Sequence, residues 1–348
     1  MDVKKAAKHL CCSSSFLIGL DRFWRFRFRK RLLVVMYHGV ASRSYSLPVW
    51  TQLPLNIFQR QIRWLARHYI PVSLAHVVSA LSGHSTLPDR AVLVTFDDGL
   101  KNNAVTAYPV LKRHGVPAAI FLTVDFVDTD TFFWVDELLL LIMEAAKCSV
   151  ELPLRSVAAQ RHFARKQYWK AYHAEVEFLK RVPEDERISQ INSLSKHVQY
   201  DRKYYQEDFG MLSWQDVHAL DEEGLVDFGV HTATHQILTS LAPDKIADEL
   251  FGAKERLERQ LGREVDAFCY PNGKMYVDYL PEHRDLLRKG GYKCAFSTDL
   301  GLCDLDRVNA FSIPRVSSAN DALVDSHFFQ LNASGLCEYR RKFHNLLP

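Results

Sequence analysis

The chain has 348 residues, of which 47% are hydrophobic and 24% are charged, and its formal net charge is +3. This composition excludes a disordered or collagen-like chain, and the charge is too small to indicate a nucleic-acid-binding protein. The length fits two domains, or one α/β barrel of up to about 250 residues with an insertion. The seven cysteines include no Cys-x-x-Cys pair, and their odd number favours a reducing compartment over a disulfide framework.

Two features near the N-terminus concern membranes. Lys4, Lys5 and Lys8 precede an apolar run at residues 16–20, but a signal peptide needs a longer apolar region, so we do not expect cleavage. Residues 22–31 contain six cations and four aromatic side chains. They are either an anchor on an anionic membrane or a terminal helix whose aromatic rings pack on the domain.

Short apolar runs alternate with longer amphipathic runs along most of the chain. The predicted strands are Leu32–Tyr37, Ala91–Phe96, Ala118–Val124, Val226–Val230, Ala267–Tyr270, Cys294–Ser297 and Phe311–Val316. The predicted helices are Ile57–His68, Val105–Arg113, Lys245–Leu261 and Tyr279–Lys289. Alternation of this kind predicts a parallel sheet, either open or closed into a barrel.

Residues 132–211 interrupt the alternation, because they contain no convincing strand. Leu138–Met143 is far too short to span a membrane and predicts a buried helix. Helical spacing continues through Arg161–Arg181, and Pro183 separates this run from a further helix at Glu184–Lys196. The region is predicted to be a helical insertion carried by the α/β core.

The first chemically informative segment is Val94–Gly99, where an apolar strand ends in Asp97 and Asp98. The carboxyl ends of parallel strands are where α/β proteins place their sites. Adjacent carboxylates repel each other unless a cation or an arginine offsets the repulsion. The pair therefore indicates a functional site, and the alternative is that Asp98 caps a helix beginning near Leu100.

Two further segments follow strands in the same way. His231 and His235 come after Val226–Val230, and on one helical turn they would face the same direction and could share a metal. Two surface histidines are the alternative. The third segment is a turn formed by Tyr270, Pro271, Asn272 and Gly273. It is either an oxyanion-binding loop with exposed N–H groups or an ordinary turn of an α/β unit.

Together and in this order, these segments resemble the polysaccharide deacetylases, the metal-dependent family-four carbohydrate esterases with a NodB homology domain. The resemblance covers residues 32–125 and 212–318. It implies an α/β fold, a distorted (β/α)7-type barrel of mostly parallel strands with a helical insertion. The expected organisation is a basic and aromatic segment at 1–31, a deacetylase core at 32–131 and 212–320, the insertion at 132–211 and a tail at 321–348.

The resemblance also implies a role for individual residues. Asp98, His231 and His235 would bind a divalent metal, expected to be zinc, and would leave one position open for water. Asp97 would be the general base. The backbone N–H of Asn272 would stabilise the oxyanion together with the metal.

Two departures from the family pattern concern the arginine and the general acid. Cys269 stands where the family usually has an arginine that orients the base, and Arg315 could supply that guanidinium unless it is a surface residue. The late motif that carries the acid is not evident, because His327 follows no apolar strand. His38, which ends the first strand as in the poly-N-acetylglucosamine deacetylases, is the expected acid, and a buried core histidine is the alternative.

These features predict a bacterial hydrolase that removes N-acetyl groups from amino sugars of a polysaccharide or its precursor. One alternative is removal of an acyl or formyl group from a lipid-linked or nucleotide-linked sugar. Another is a catalytically inactive carbohydrate-binding protein, for which Cys269 is the best support. We expect the protein in the cytoplasm, with peripheral contact to the inner membrane if residues 22–31 bind lipid.

Overall fold

The computed structural model describes residues 19–318 and 326–338. The strands in this part of the chain are β1 (Leu33–Tyr37), β2 (Gly39–Ala41), β3 (Gln52–Pro54), β4 (Ile70–Pro71), β5 (Ala91–Phe96), β6 (Ala118–Leu122), β7 (Val226–Val230), β8 (Ala267–Cys269), β9 (Cys294–Leu300) and β10 (Ile313–Ser317). All pairings between them are parallel. Because β1 pairs with both β5 and β10, the seven strands β1 and β5 to β10 close into a barrel. The expected barrel fold is therefore confirmed.

Helices connect the strands and cover the outside of the barrel. They are α1 (Leu20–Arg27), α2 (Leu55–His68), α3 (Leu74–Leu81), α4 (Tyr108–His114), α5 (Trp134–Cys148), α6 (Val157–Ala164), α7 (Tyr168–Leu179), α8 (Glu184–Leu194), α9 (Arg202–Phe209), α10 (Trp214–Glu222), α11 (Pro243–Ala247), α12 (Ala253–Leu261), α13 (Pro281–Lys289) and α14 (Ser326–Leu331). None of the helices in the described ranges has both the length and the apolar composition that crossing a bilayer requires.

The predicted elements are present with small shifts at their ends, but two helices are less regular than their patterns suggested. Lys245–Leu261 consists of α11, a π-helical turn at Asp248–Gly252, and α12. The run predicted at Val105–Arg113 begins as a π-helical turn at Asn103–Ala107, which continues into α4. Such π-turns occur frequently at functional sites.

The interior of the barrel is apolar below the site. Side chains at alternate strand positions, among them Val34, Leu93, Phe121 and Phe296, meet in one buried cluster. Since successive residues of a strand point to opposite faces, this cluster is the barrel interior, and the remaining strand residues pack against the helices. Gly229 on β7 leaves room for Phe121, because a Cβ at this position would lie 2.5 Å from its ring. These residues form the floor beneath the polar groups described below.

Residues 132–211 fold as five helices, α5 to α9, which have a hydrophobic core of their own. The Leu138–Met143 run is fully buried in that core, as its sequence predicted. Pro183 directly precedes α8, whereas the preceding helix α7 already ends at Leu179. Trp50 also packs on this core and donates a hydrogen bond of 2.7 Å to the Tyr172 hydroxyl. The insertion is thus joined to the barrel beside the end of β1.

Helix α1 lies at the end of the barrel where the strands begin. The carbonyl oxygen of Arg29, just after α1, accepts a hydrogen bond from the N–H of Arg90, which directly precedes β5. Phe23 and Phe26 on α1 are 55% and 68% exposed. The predictions for residues 1–18 lie outside the described residues. They include the expectation that no signal peptide is cleaved and most of the apolar run at 16–20.

Candidate metal centre and active site

The polar residues singled out in the sequence gather where the barrel strands end. Tyr37 of β1 pairs with Phe96 of β5, so the next residues, His38 and Asp97, leave adjacent strands at the same level. The N–H of Asp97 donates a 3.0 Å hydrogen bond to the Tyr37 carbonyl oxygen. The geometry follows from the parallel arrangement, which brings all carboxyl ends to one rim.

Asp98, His231 and His235 form one compact cluster at this rim. Oδ1 of Asp98 lies 3.5 Å from Nε2 of His231 and 3.4 Å from Nε2 of His235. The prediction that the two histidines lie on one helical turn is wrong. Residues 231–235 form an irregular loop in which Thr232 and His235 have positive φ angles of 64° and 63°. These left-handed residues, and not the repeat of a helix, bring the two imidazoles together.

Asp98 does not cap a helix either. Its φ is 77°, and the helical residues begin after Leu100. Its side chain is buried, and Oδ1 accepts no hydrogen bond from the described residues. Burial would raise the pKa of Asp98, but the neighbouring imidazoles of His231 and His235 hold that pKa well below its usual value. A buried oxygen without a donor is what a carboxylate prepared for a cation presents.

The donor set fits a tetrahedral zinc ion. Ligand bonds of about 2.1 Å to such an ion place the ligand atoms about 3.4 Å apart, close to the observed separations. Nδ1 of His231 lies 2.8 Å from the carbonyl oxygen of Cys269, so a proton on Nδ1 would leave Nε2 free for the ion. Three protein ligands suit a catalytic metal, whose fourth position is open.

A second group of possible ligands consists of Asp97, His231 and Cys269. This group fits an ion less well, because both carboxylate oxygens of Asp97 are bonded to an arginine. Burial also raises the pKa of the Cys269 thiol, whereas metal binding requires the thiolate. The Asp98 cluster is therefore the better candidate for the metal.

Asp97 and Arg315 form a buried ion pair beside the metal cluster. Nη1 of Arg315 donates to Oδ1 of Asp97 at 2.7 Å, and Nη2 donates to Oδ2 at 2.8 Å. Nε of Arg315 donates to the carbonyl oxygen of Ser297 at 2.8 Å. Arg315 is only 1% exposed, so the interpretation as a surface arginine is wrong.

The pair determines the charge on Asp97. Burial alone would raise the pKa of Asp97, but the Arg315 guanidinium holds it below its usual value. Cys269, at the position where an arginine was expected, donates a weak thiol hydrogen bond of 3.4 Å to Oδ1 of Asp97. Arg315 thus reaches from β10 the carboxylate that the family's arginine would reach from β8. The structure therefore keeps Asp97 ionised and oriented.

His38 lies at the same rim and is half-buried. Its ring is 6.3 Å from that of Trp50, and its buried Nδ1 has no hydrogen-bond partner in the described chain. It directly follows Tyr37, which pairs with Phe96, so His38 lies beside Asp97 at this rim. His327, by contrast, lies in α14, which contacts α1 and α2 at the opposite end of the barrel. The role of His38 as the acid stays a prediction.

The turn at 270–273 is only partly available to a substrate. The Tyr270 ring is buried, stacks on Tyr279 with a centroid distance of 3.7 Å, and donates its hydroxyl to the carbonyl oxygen of Phe311. Asn272 and Gly273 have positive φ angles of 57° and 71°. Tyr270 is therefore a packing residue, and an oxyanion role, which stays a prediction, would belong to the Pro271–Gly273 backbone.

Two buried carboxyl groups near the site were not predicted from the sequence. Glu249 accepts hydrogen bonds from the N–H groups of Ala233 and Thr234 at 2.9 and 3.0 Å, and from the Thr234 hydroxyl at 2.6 Å. It therefore fixes the loop that carries both histidines. The available signal was a carboxylate three residues after Ile246, beside the apolar stripe of its helix.

Asp136 is the second of these groups. Its Oδ1 accepts a 2.8 Å hydrogen bond from the Thr51 hydroxyl, and its Oδ2 has no partner in the described chain. Burial, and to a lesser extent the nearby Asp98 charge, raises the pKa of Asp136 to about 7. An acid in the first turn of a helix is common, so Asp136 could not be distinguished by sequence alone.

A family model described as polysaccharide deacetylase matches residues 84–295, more than half of the chain. The chain belongs to the polysaccharide deacetylase family. The matched span contains Asp97, Asp98 and both histidines of the cluster, whereas His38 and Arg315 lie outside it.

Curated relatives match over shorter stretches. YxkH of Bacillus subtilis is 34% identical over 93 residues, which is 26% of this chain and 32% of that protein. The poly-β-1,6-N-acetyl-D-glucosamine N-deacetylase of Escherichia coli is 36% identical over 98 residues, 28% of this chain and 14% of that enzyme. The chain thus matches a third or less of each relative's length.

Solved structures match over most of the chain. IcaB from Ammonifex degensii has a TM-score of 0.55 at 19% identity, with 87% of this chain and 97% of IcaB covered. Streptococcus pyogenes deacetylase PplD, solved with acetate, has a TM-score of 0.53 at 16% identity, with 82% and 92% covered. At these identities the likeness shows a shared fold.

Proposed function

We propose that this protein is a metal-dependent hydrolase that removes N-acetyl groups from amino sugars of a polysaccharide or its precursor. The observation that carries the proposal is the Asp98, His231 and His235 cluster beside the buried Asp97–Arg315 pair. Family membership supports deacetylation, and the name of the Escherichia coli relative supports N-acetylglucosamine linked β-1,6 as a first substrate to test.

The chain's own residues divide the chemistry between them. A divalent ion held by the cluster would supply Lewis acidity toward water and the amide carbonyl. Asp97, kept ionised by Arg315, takes a proton from the attacking water. His38 donates a proton to the leaving nitrogen, because an amine leaves readily only once it is protonated. The Asn272 N–H donates to the developing oxyanion.

The inactive carbohydrate-binding alternative depended on the missing arginine. Arg315 weakens that argument, since it forms the expected pair with Asp97 from another strand. A binding protein would gain nothing from a buried carboxylate aligned next to three metal ligands. An enzyme for lipid-linked or nucleotide-linked sugars stays a candidate, because the same chemistry would remove an acyl group from a single sugar as well as from a polymer.

The test is to measure bound metal and acetate release with the purified protein. We expect one divalent ion per chain and acetate release from N-acetylglucosamine oligomers. His235→Ala should lose both, with an unchanged circular dichroism spectrum. A His235→Ala protein that keeps a stoichiometric ion and wild-type activity would show that the cluster is not the metal site.

We also propose that the protein works in the cytoplasm and that α1 contacts the anionic inner membrane surface. The described cysteines are free thiols, which supports a reducing compartment. The exposed residues of α1 and the turn after it are Arg22, Phe23, Phe26, Arg27 and Lys30. Aromatic rings between cations are typical of interfacial helices.

The cations that could bind lipid are fewer than the sequence suggested. Arg25 is buried against Asp21, and Arg29 pairs with Asp89. Replacing Arg22, Arg27 and Lys30 by serine should therefore remove roughly 3 kcal/mol of attraction to anionic vesicles, at about 1 kcal/mol each. Co-sedimentation with such vesicles measures the loss, and serines at the exposed positions 161, 165 and 166 are the control. A wild-type protein that never sediments with the vesicles contradicts the proposal.

A further inference from the structure

A cavity of about 800 Å³ lies between the barrel and the helical insertion. Its walls come from the loop after β6, the start of α5, helix α8 and the loop that carries His235. His235 therefore belongs both to the cavity wall and to the candidate metal centre. A cavity of this volume holds a ligand much larger than one acetyl group. A substrate whose acetamido group lies at the metal would extend its next part into this space.

Two arginines in the cavity wall differ in their partners. Arg202 donates to a carboxylate oxygen of Glu137 at 2.7 Å and to the carbonyl oxygen of Asp130 at 2.6 Å. Arg187 lies over the Trp134 ring, with its guanidinium carbon 5.1 Å from the ring centroid. Within the described ranges, no carboxylate oxygen lies within 4.0 Å of Arg187. Arg202 is thus neutralised by the protein, and Arg187 is not.

The position of Arg187 has an electrostatic cost. Burial lowers the pKa of Arg187, and Glu184, one helical turn earlier, offsets only part of this effect. A half-buried cation without a bonded anion gains more from an incoming oxyanion than an exposed one would. The Trp134 ring beside it adds a cation–π contact, and the planar guanidinium suits bidentate recognition of a phosphate or carboxylate.

We propose that the cavity binds an anionic group attached to the acetamido sugar, and that Arg187 determines specificity for it. This inference rests on the proposed function, because the metal centre defines where the acetamido group lies. The shared chemistry is an oxyanion next to an aromatic wall. Its source is either the phosphate of a nucleotide-linked or lipid-linked sugar or the carboxylate of a uronate in an acidic polysaccharide.

The experiment compares three probes on the wild type, Arg187→Gln and the control Arg161→Gln. The probes are a uridine-diphosphate N-acetylglucosamine, an oligosaccharide of alternating N-acetylglucosamine and glucuronate, and neutral N-acetylglucosamine tetramer. Calorimetry on the metal-free protein measures binding, and acetate release measures kcat and KM. Arg161 is exposed on the same insertion, so its loss controls for net charge.

We expect Arg187→Gln to weaken binding of one anionic probe 10- to 100-fold in Kd and KM, and to affect the neutral tetramer much less. The anionic probe that is affected identifies the source of the oxyanion. Equal binding by Arg187→Gln and wild type, equal loss for all three probes, or no binding of either anionic probe overturns the inference.

If binding depends on Arg187 but no probe releases acetate, the cavity assignment holds and the proposed function fails. If the neutral tetramer is deacetylated and Arg187→Gln changes nothing, the proposed function holds and the cavity assignment fails.

Discussion

Replacing Arg315 by methionine tests the central feature of the site, because it removes the guanidinium and keeps a side chain of similar length. The pair is almost fully buried, with Arg315 and Asp97 side chains 0% and 3% exposed. Breaking a buried pair by removing one partner costs about 3–5 kcal/mol, since the other charge stays buried. The exposed pair of Arg288 and Asp285 is the control, and Arg288→Met should cost less than about 1 kcal/mol.

The pH dependence distinguishes this cost from a simple packing defect. In the wild type the pKa of Asp97 lies below its unfolded value, so the pair stabilises the fold above the unfolded pKa of about 3.9, and this stabilisation is lost as the pH falls through the folded pKa. Without Arg315, burial raises the pKa of Asp97 above the unfolded value. The ionised carboxylate then destabilises the variant increasingly as the pH rises from the unfolded pKa of Asp97 to its raised folded pKa.

The assays are urea unfolding at several pH values and kcat/KM for acetate release. We expect the gap in unfolding free energy between the wild type and Arg315→Met to widen from pH 4 upward. We also expect the acid limb of kcat/KM to move to higher pH. Adding Asp97→Asn to Arg315→Met should recover part of the stability, because it removes the isolated charge. A pH-independent gap no larger than that of Arg288→Met, with an unmoved acid limb, would refute the reasoning.

Three further predictions concern the residues around this pair. Asp97→Asn should retain the metal and lower kcat by about 10²–10⁴, whereas Asp98→Asn should lose the metal; equal metal content in the two proteins contradicts this division. His38→Ala should keep the metal and lose the basic limb of the kcat/KM profile, and a wild-type profile would assign the acid elsewhere. Glu249→Gln should weaken metal affinity about 10- to 100-fold in a chelator competition, with activity restored by added metal. Unchanged affinity would make Glu249 a purely structural residue.

The sequence predicted the parts of the site that depend on strand ends. Short apolar runs rich in β-branched residues, such as Ala91–Phe96, favour buried strands. Parallel strands bring their carboxyl ends together, so Asp97, His38 and His231 were predictable neighbours. The backbone path that brings His235 to the other two ligands was not predictable in the same way. His235 reaches the cluster through left-handed turns, which a spacing of four residues does not distinguish from a helix.

Partners distant in sequence were harder to predict. Arg315 is 218 residues from Asp97, and only closure of the barrel makes them neighbours. Glu249 lies on an amphipathic helix, and only the folded chain brings the backbone amides of Ala233 and Thr234 against its carboxylate. Arg187 belongs to no motif, and the absence of a paired carboxylate among the described residues follows from where α8 packs.

The location of α1 has a topographic consequence for the reaction. Helix α1 adjoins the rim where the strands start, and the metal cluster is at the rim where they finish. Strands of five or six residues, at about 3.3 Å per residue, separate the two rims by roughly 20 Å. A molecule resting on a bilayer through α1 would turn its catalytic rim away from the lipid. A lipid-linked sugar would then reach this rim only with its phosphate drawn out of the headgroup layer, whereas diffusing nucleotide sugars and growing chains would enter from the aqueous side.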